Sequence, residues 1–173
     1  GFAPYIFVAA GFTFTTATWY IALGSIGYIV GALSMAPIAD RWERKYLVAS
    51  AFSIATLAVF LYAVAVAVRS PIVLTIGAFL GAFATAFAVP AYTYTAELFP
   101  TRARASGFAL ADGVGHLGGA VVPFIIYLVF NPLKPLSTGV WTFVLLGIFE
   151  IIATLIVLTG PRTTKLRLEQ VSD

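Results

Sequence analysis

No Asp, Glu, Lys or Arg occurs ahead of Asp40, between Lys45 and Arg69, or between Arg69 and Glu97. Uncharged runs of that length leave few options for a fold. In a bilayer, about 20 apolar residues wound as an α-helix satisfy their own backbone across ~30 Å of hydrocarbon. Composition agrees: 61% of the residues are hydrophobic, 10% are charged and the mean hydropathy is +0.99, against about 25% charged residues in soluble domains. The runs predict membrane-spanning helices over 17–39, 46–68, 71–95, 105–130 and 139–159. A membrane β-barrel would show alternation instead. The expected fold is an all-α integral membrane protein, with the lipid bilayer as its first partner.

Residues 1–11 are apolar but too short to span, and neither a basic leading segment nor a cleavage pattern marks them as a signal peptide. The sole methionine is Met35. These residues read as the last turns of a helix that starts before residue 1, giving a bundle of five full transmembrane helices plus the end of a sixth. Residues 12–160 then form the bundle and 161–173 a tail. The alternative is a small subunit trimmed by maturation. Lys and Arg near helix ends orient such a bundle. Arg41, Arg44, Lys45, Arg102, Arg104, Arg162, Lys165 and Arg167 fall on one side, and Arg69 and Lys134 on the other. Eight against two places the 40–45 loop, the 96–104 loop and the tail in the cytoplasm of a multi-pass cell-membrane protein. The net charge of +3 reflects that topology and calls for no nucleic acid. With no cysteine, the chain has no disulfide and no thiolate metal site.

Three charged segments narrow the reading. Ala36-Pro-Ile-Ala-Asp40-Arg41-Trp42-Glu43-Arg44-Lys45 resembles the loop signature G-x-x-x-D-R-x-G-R-R/K of the major facilitator superfamily, with Ala36 and Glu43 standing where that family has glycines. Glu97-Leu-Phe-Pro100-Thr-Arg102-Ala-Arg104-Ala-Ser-Gly107 looks like the E-L-F/Y-P-T-x-x-R-A-x-G segment between the tenth and eleventh helices of its sugar-porter and organic-ion branches. Pro100 disfavours helical geometry at Phe99, so the preceding helix is expected to end near Glu97. The tail Pro161-Arg-Thr-Thr-Lys165-Leu-Arg-Leu168-Glu169 is similar to the sugar-porter ending P-E-T-K-G-R-S-L-E, with Arg162 in place of the acid. The resemblance covers essentially the whole chain. It implies the C-terminal half of a twelve-helix transporter, residues 1–11 being the end of the seventh helix and the N-terminal half being the missing partner. It also implies that Asp40, Arg41, Arg44, Lys45, Glu97, Arg102 and Arg104 form a cytoplasmic gating network that latches the outward-open state. Solvated snorkelling charges are the plainer reading of the same residues.

Inside the spans, Gly27 and Gly31, Gly77 and Gly81, and Gly115 and Gly119 recur four apart, a spacing that lets helix backbones approach closely. They read as packing sites, or as places where helices flex. Three ionisable residues lie within spans: Asp112, His116 and Glu150. Such residues are expensive in hydrocarbon and are candidates for proton coupling. Asp112 and His116 share a helix face, and could carry a proton or form a neutral hydrogen-bonded packing pair. Glu150 lies on a stripe with Phe143, Gly147 and Thr154, expected to face protein. By resemblance the substrate cavity lies between the two halves near the midplane. Candidate contacts are Thr85, Tyr92 and Tyr94, with Trp19 and Tyr20 nearer the outer mouth. Where sugar porters carry Pro-Trp, Pro90-Ala91-Tyr92 leans towards the organic-acid and organic-ion branches.

One histidine, no cysteine and no G-x-x-x-x-G-K-S/T phosphate loop argue against an enzyme and against any nucleotide or metal cofactor. The expected function is a proton-coupled secondary transporter moving a small polar solute, a sugar or an organic acid, by alternating access. The alternative is a non-transporting accessory or structural subunit of a larger membrane complex.

Overall fold

The computed structural model describes residues 3–129, 131 and 133–163, and within them the chain is helical throughout its spans. Eight helices follow one another: α1 (Ala3–Ala9), α2 (Phe14–Gly24), α3 (Ile26–Met35), α4 (Arg44–Val68), α5 (Pro71–Phe87), α6 (Pro90–Glu97), α7 (Arg104–Val129) and α8 (Pro135–Thr159). In bilayer terms these are five crossings, because α2 continues into α3 and α5 into α6: Phe14–Met35, Arg44–Val68, Pro71–Glu97, Arg104–Leu128 and Leu136–Thr159. Each lies within a few residues of its expected span.

The boundaries follow from local chemistry. Gly11 turns the chain out of α1 at a φ of +106°, a conformation glycine adopts without steric cost. Thr13 then caps α2, its hydroxyl accepting the Thr16 N–H at 3.1 Å. Arg69 ends α4 in a left-handed turn, and Ser70 caps α5 ahead of Pro71 at the first helical position. Pro90 has no N–H to give to Ala86, so the ladder breaks there and α5 passes into α6 through 3₁₀-type bonds. α6 ends at Glu97, where Pro100 was expected to stop it. Pro135 starts α8 four residues earlier than expected, since proline at this position lacks only a donor that has no helical partner.

Packing centres on α4 and α5: α4 lies along α8 and α5, and α5 also meets α2 and α3. A Cβ on Gly24 would overlap Ala78, and one on Gly27 or Gly31 would overlap the backbone of Phe79 or Phe83. On another side of α5, a Cβ on Gly77 would lie 3.2 Å from the Ala58 carbonyl and 3.3 Å from Leu61 Cβ. The first two glycine pairs are thus contact sites, as expected. Gly115 and Gly119 depart from that reading: a Cβ on either meets nothing within 4 Å, in keeping with the sparse contacts of α7, whose main neighbours are α6 and α8. At the end of the bundle carrying Arg69 and Lys134, Phe7, Tyr62 and Phe143 pack with ring centroids 5.4 to 5.6 Å apart, joining α1, α4 and α8.

Gly27→Ala is expected to lower stability by about 1–3 kcal/mol, the usual cost of overpacking, and Gly115→Ala by less than about 0.5 kcal/mol. Reversible unfolding in detergent micelles measures both, and equal losses at the two positions would contradict the packing described.

Candidate functional site

The charged end of the bundle is built by the starts of α4 and α7 and the ends of α6 and α8. Arg44, at the first turn of α4, reaches the Glu97 carboxylate at the end of α6, with both side chains largely shielded. This pair ties two crossings together. The second carboxylate oxygen, Glu97 Oε2, and Arg104 Nη2 are buried with no partner among the described residues, while Arg104 Nε donates to the Ala96 carbonyl at 3.2 Å. Asp40, Arg41 and Arg102 are exposed. Of the seven residues expected in this network, the structure thus joins Arg44 to Glu97 and seats Arg104 beside them.

Lys45 has a different task. Its ammonium donates to the Gly160 carbonyl at 2.9 Å and the Leu158 carbonyl at 3.3 Å, satisfying the open end of α8 with a cation where the helix dipole is negative. The chain leaving α8 is held at three further points. Tyr94 donates its hydroxyl to the Pro161 carbonyl at 2.9 Å, the Glu43 carboxylate accepts the Thr163 N–H at 3.0 Å, and Arg162 lies over the Tyr46 ring while donating to its hydroxyl at 3.1 Å. Sequence reasoning missed this clamp. Glu43 stood out only as a departure from a glycine, and Tyr94 was expected to line a substrate cavity, whereas it is buried with its hydroxyl committed to residues 161–163, the strap that follows α8. Arg162 occupies the place of an acid and makes a cation–π contact instead. Lys165, Arg167, Leu168 and Glu169 lie outside the described residues.

Further into the membrane, two cavities meet at Ala91 and Tyr92 of α6. One, of about 520 Å³, lies between α6 and α7 and is lined by Tyr92, Thr95, Phe108, Asp112, Gly115 and His116, among others. Within it His116 Nδ1 donates to the Asp112 backbone carbonyl at 2.9 Å and stands 3.5 Å from the Asp112 carboxylate. A hydrogen on Nδ1 leaves Nε2 of a neutral imidazole as an acceptor. The His116 side chain is 75% exposed and that of Asp112 38%, so the pair is shielded mainly on the Asp112 side. The second cavity, of about 320 Å³, lies between α4, α5, α6 and α8 and is lined by Phe52, Thr85, Tyr92 and Glu150 with alanines filling the rest. The Glu150 stripe faces protein as expected: Phe143 is buried, Gly147 meets the Phe60 ring and Thr154 is half-buried. Trp19 lines a separate groove on α2 with Phe14 and Thr18, while Tyr20 packs against the aromatic core. Among the described residues no group of three His, Cys, Asp or Glu could hold a metal ion.

Comparison with known proteins matches the family model of the Major Facilitator Superfamily to residues 1–172. A putative metabolite transport protein, YyaJ, of Bacillus subtilis is 32% identical over 133 residues, covering 72% of this chain and 29% of that protein. The niacin transporter NiaP of Acinetobacter baylyi is 25% identical over 71% of this chain and 28% of its own length. The organic cation/carnitine transporter 7 of Arabidopsis thaliana is 31% identical over 61% of this chain and 21% of its own. The matched stretch thus covers less than a third of each relative. No solved structure matches the chain.

The Arg44–Glu97 pair is expected to couple by more than the ~1 kcal/mol that bounds exposed pairs, because removing one partner strands a shielded charge. A double-mutant cycle of Arg44→Met and Glu97→Gln, read by unfolding in detergent, measures it; a coupling below about 0.5 kcal/mol would make the pair an ordinary surface contact.

Proposed function

We propose that this chain, which belongs to the Major Facilitator Superfamily, forms the C-terminal half of a secondary transporter that carries a small polar organic solute by alternating access. The observation that carries the reading is the open, polar face of α7. Asp112 and His116 stand on it among glycines whose added Cβ atoms would touch nothing. An ionisable group facing lipid at a helix centre costs at least ~2.5 kcal/mol. That face therefore belongs against water, substrate or further protein. A remaining N-terminal half covering α7 and the exposed side of α2 and α3 would convert the 520 Å³ cavity into an enclosed path.

The charged end supplies the two-state element in this reading. The Arg44–Glu97 pair and the strap on α8 stabilise one arrangement of the bundle at what the Lys and Arg bias makes the cytoplasmic face. Opening that face trades shielded ion pairs for hydrated ones, and a difference of a few kcal/mol is enough to bias the equilibrium between two packings. Asp112, His116 and Glu150 are the coupling groups. A proton arriving at His116 Nε2 gives an imidazolium beside the Asp112 carboxylate, and losing it restores the neutral ring. Tyr92 and Thr85, with Trp19 at the outer groove, supply rings and hydroxyls for a solute that is part aromatic and part polar, such as an organic acid. The niacin transporter among the relatives makes nicotinate the first solute to test.

In proteoliposomes the full-length protein is expected to accumulate nicotinate several-fold when a pH gradient is imposed, acid on the side of entry, and collapsing the gradient is expected to abolish accumulation. Asp112→Asn is expected to reduce gradient-driven uptake about tenfold, the scale of losing one coupled interaction of ~1.4 kcal/mol. Uptake indifferent to the gradient would remove proton coupling, and a protein that moves no tested solute would favour the accessory-subunit alternative.

A further inference from the structure

The Asp112 carboxylate and the His116 ring stand too far apart for a hydrogen bond between them. An N–H···O bond runs from about 2.7 to 3.2 Å, whereas His116 Nδ1 is 3.5 Å from Asp112 Oδ2. That gap matches a different partnership. A tetrahedral transition-metal ion bonded at about 2.1 Å to a ring nitrogen and to a carboxylate oxygen holds the two about 3.4 Å apart. Positions i and i+4 share a helix face, so one ion reaches both groups without bending α7. Nδ1 donates to the Asp112 carbonyl at 2.9 Å, but within α7 that carbonyl is also the acceptor for the backbone N–H of His116. The ring can therefore release it without stranding it. Its hydrogen then moves to Nε2, and the Nδ1 lone pair is open to a metal.

The surroundings favour a cation. Asp112 is the only charged residue among those lining the α6–α7 cavity, and no Lys or Arg is among them. An added Cβ on Gly115 or Gly119 meets nothing within 4 Å, so the ion's other positions are clear, and the volume of about 520 Å³ has room for water ligands. Imidazole selects the kind of ion: magnesium and calcium take oxygen ligands, while zinc and its neighbours accept nitrogen.

We infer that Asp112 and His116 form an exchangeable site for a divalent transition-metal ion of the zinc class, chelated between Oδ2 and Nδ1 with water in its other positions. A resident zinc has three or four protein ligands; two make a site that empties and refills. The ion neutralises the carboxylate that would hold a protonated His116, so metal and proton compete for the pair. That consequence rests on the transporter reading. Binding itself does not, and it is measured without transport, so either can fail alone.

Zinc and magnesium chlorides are the probes, titrated by calorimetry into the full-length protein in detergent, purified without a polyhistidine tag. Zinc is expected to bind at least about tenfold more tightly than magnesium. Losing even an outer partner of a metal ligand costs about 10–100-fold, so His116→Ala and Asp112→Asn should each weaken zinc at least about tenfold. The double variant sets the background from the rest of the protein, and thermal unfolding without metal confirms that each variant is folded. No zinc binding above that background, equal binding of magnesium, or full zinc affinity in either folded single variant would each overturn the assignment.

Discussion

α3 and α4 approach α5 with almost nothing between their backbones, and the rest of the bundle is arranged around that approach. In hydrocarbon no hydrophobic force drives helices together, so dispersion at short range and backbone proximity must do so. Gly24, Gly27 and Gly31 recur at helical spacing along one side of α2 and α3, and an added Cβ on each would fall inside α5. Gly77 allows a close but less extreme approach to α4, with 3.2 Å left between an added Cβ and the Ala58 carbonyl. With α5 fixed on two sides, α4 carries α8, and the aromatic cluster of Phe7, Tyr62 and Phe143 closes the end that bears Arg69. α7 has no share in this glycine-mediated packing, and its ionisable residues lie on an open face.

Charge is confined by the same physics. Side chains that cannot enter hydrocarbon collect at helix ends, and at one end they serve as ties. Arg44 and Glu97 join two crossings, and Lys45 satisfies the carbonyls at the close of α8. Glu43, Tyr46 and Tyr94 hold the next three residues of chain. The end of α8 is thus fastened to the starts of α4 and the end of α6 by hydrogen bonds that differ in kind, so a movement of α4 against α6 would have to release several together. In the proposed transporter these ties would act as the latch.

Helix existence was legible because the uncharged runs are long, and the stop at Glu97 because Pro100 constrains the residue before it. The start of α8 at Pro135 was less so, since proline can either precede or open a helix. The two-part character of the third crossing was carried by Pro90, whose missing donor leaves a break without ending the crossing. Contacts between distant segments were another matter. Glu43 and Thr163 are 120 positions apart, and nothing in either local sequence states that a carboxylate will meet that N–H. Gly115 and Gly119 carry the same spacing as Gly27 and Gly31 but face open space, because spacing reports which residues share a face and not what the face meets. Tyr94 shows the same limit: next in sequence to the cavity-lining Thr95, it sends its hydroxyl to the Pro161 carbonyl.

In the proposed transport cycle the open face of α7 lines a path reached alternately from the two sides of the membrane. This chain contributes no cysteine, and Gly119 lines the α6–α7 cavity with free space at its Cβ position. Gly119→Cys in the full-length protein, cleared of other cysteines, therefore places a thiol on that path at little structural cost. Reaction with a membrane-impermeant maleimide should proceed from either side, with saturating solute or an imposed pH gradient favouring one side over the other. Labelling from one side only under every condition, or from neither, would contradict the account.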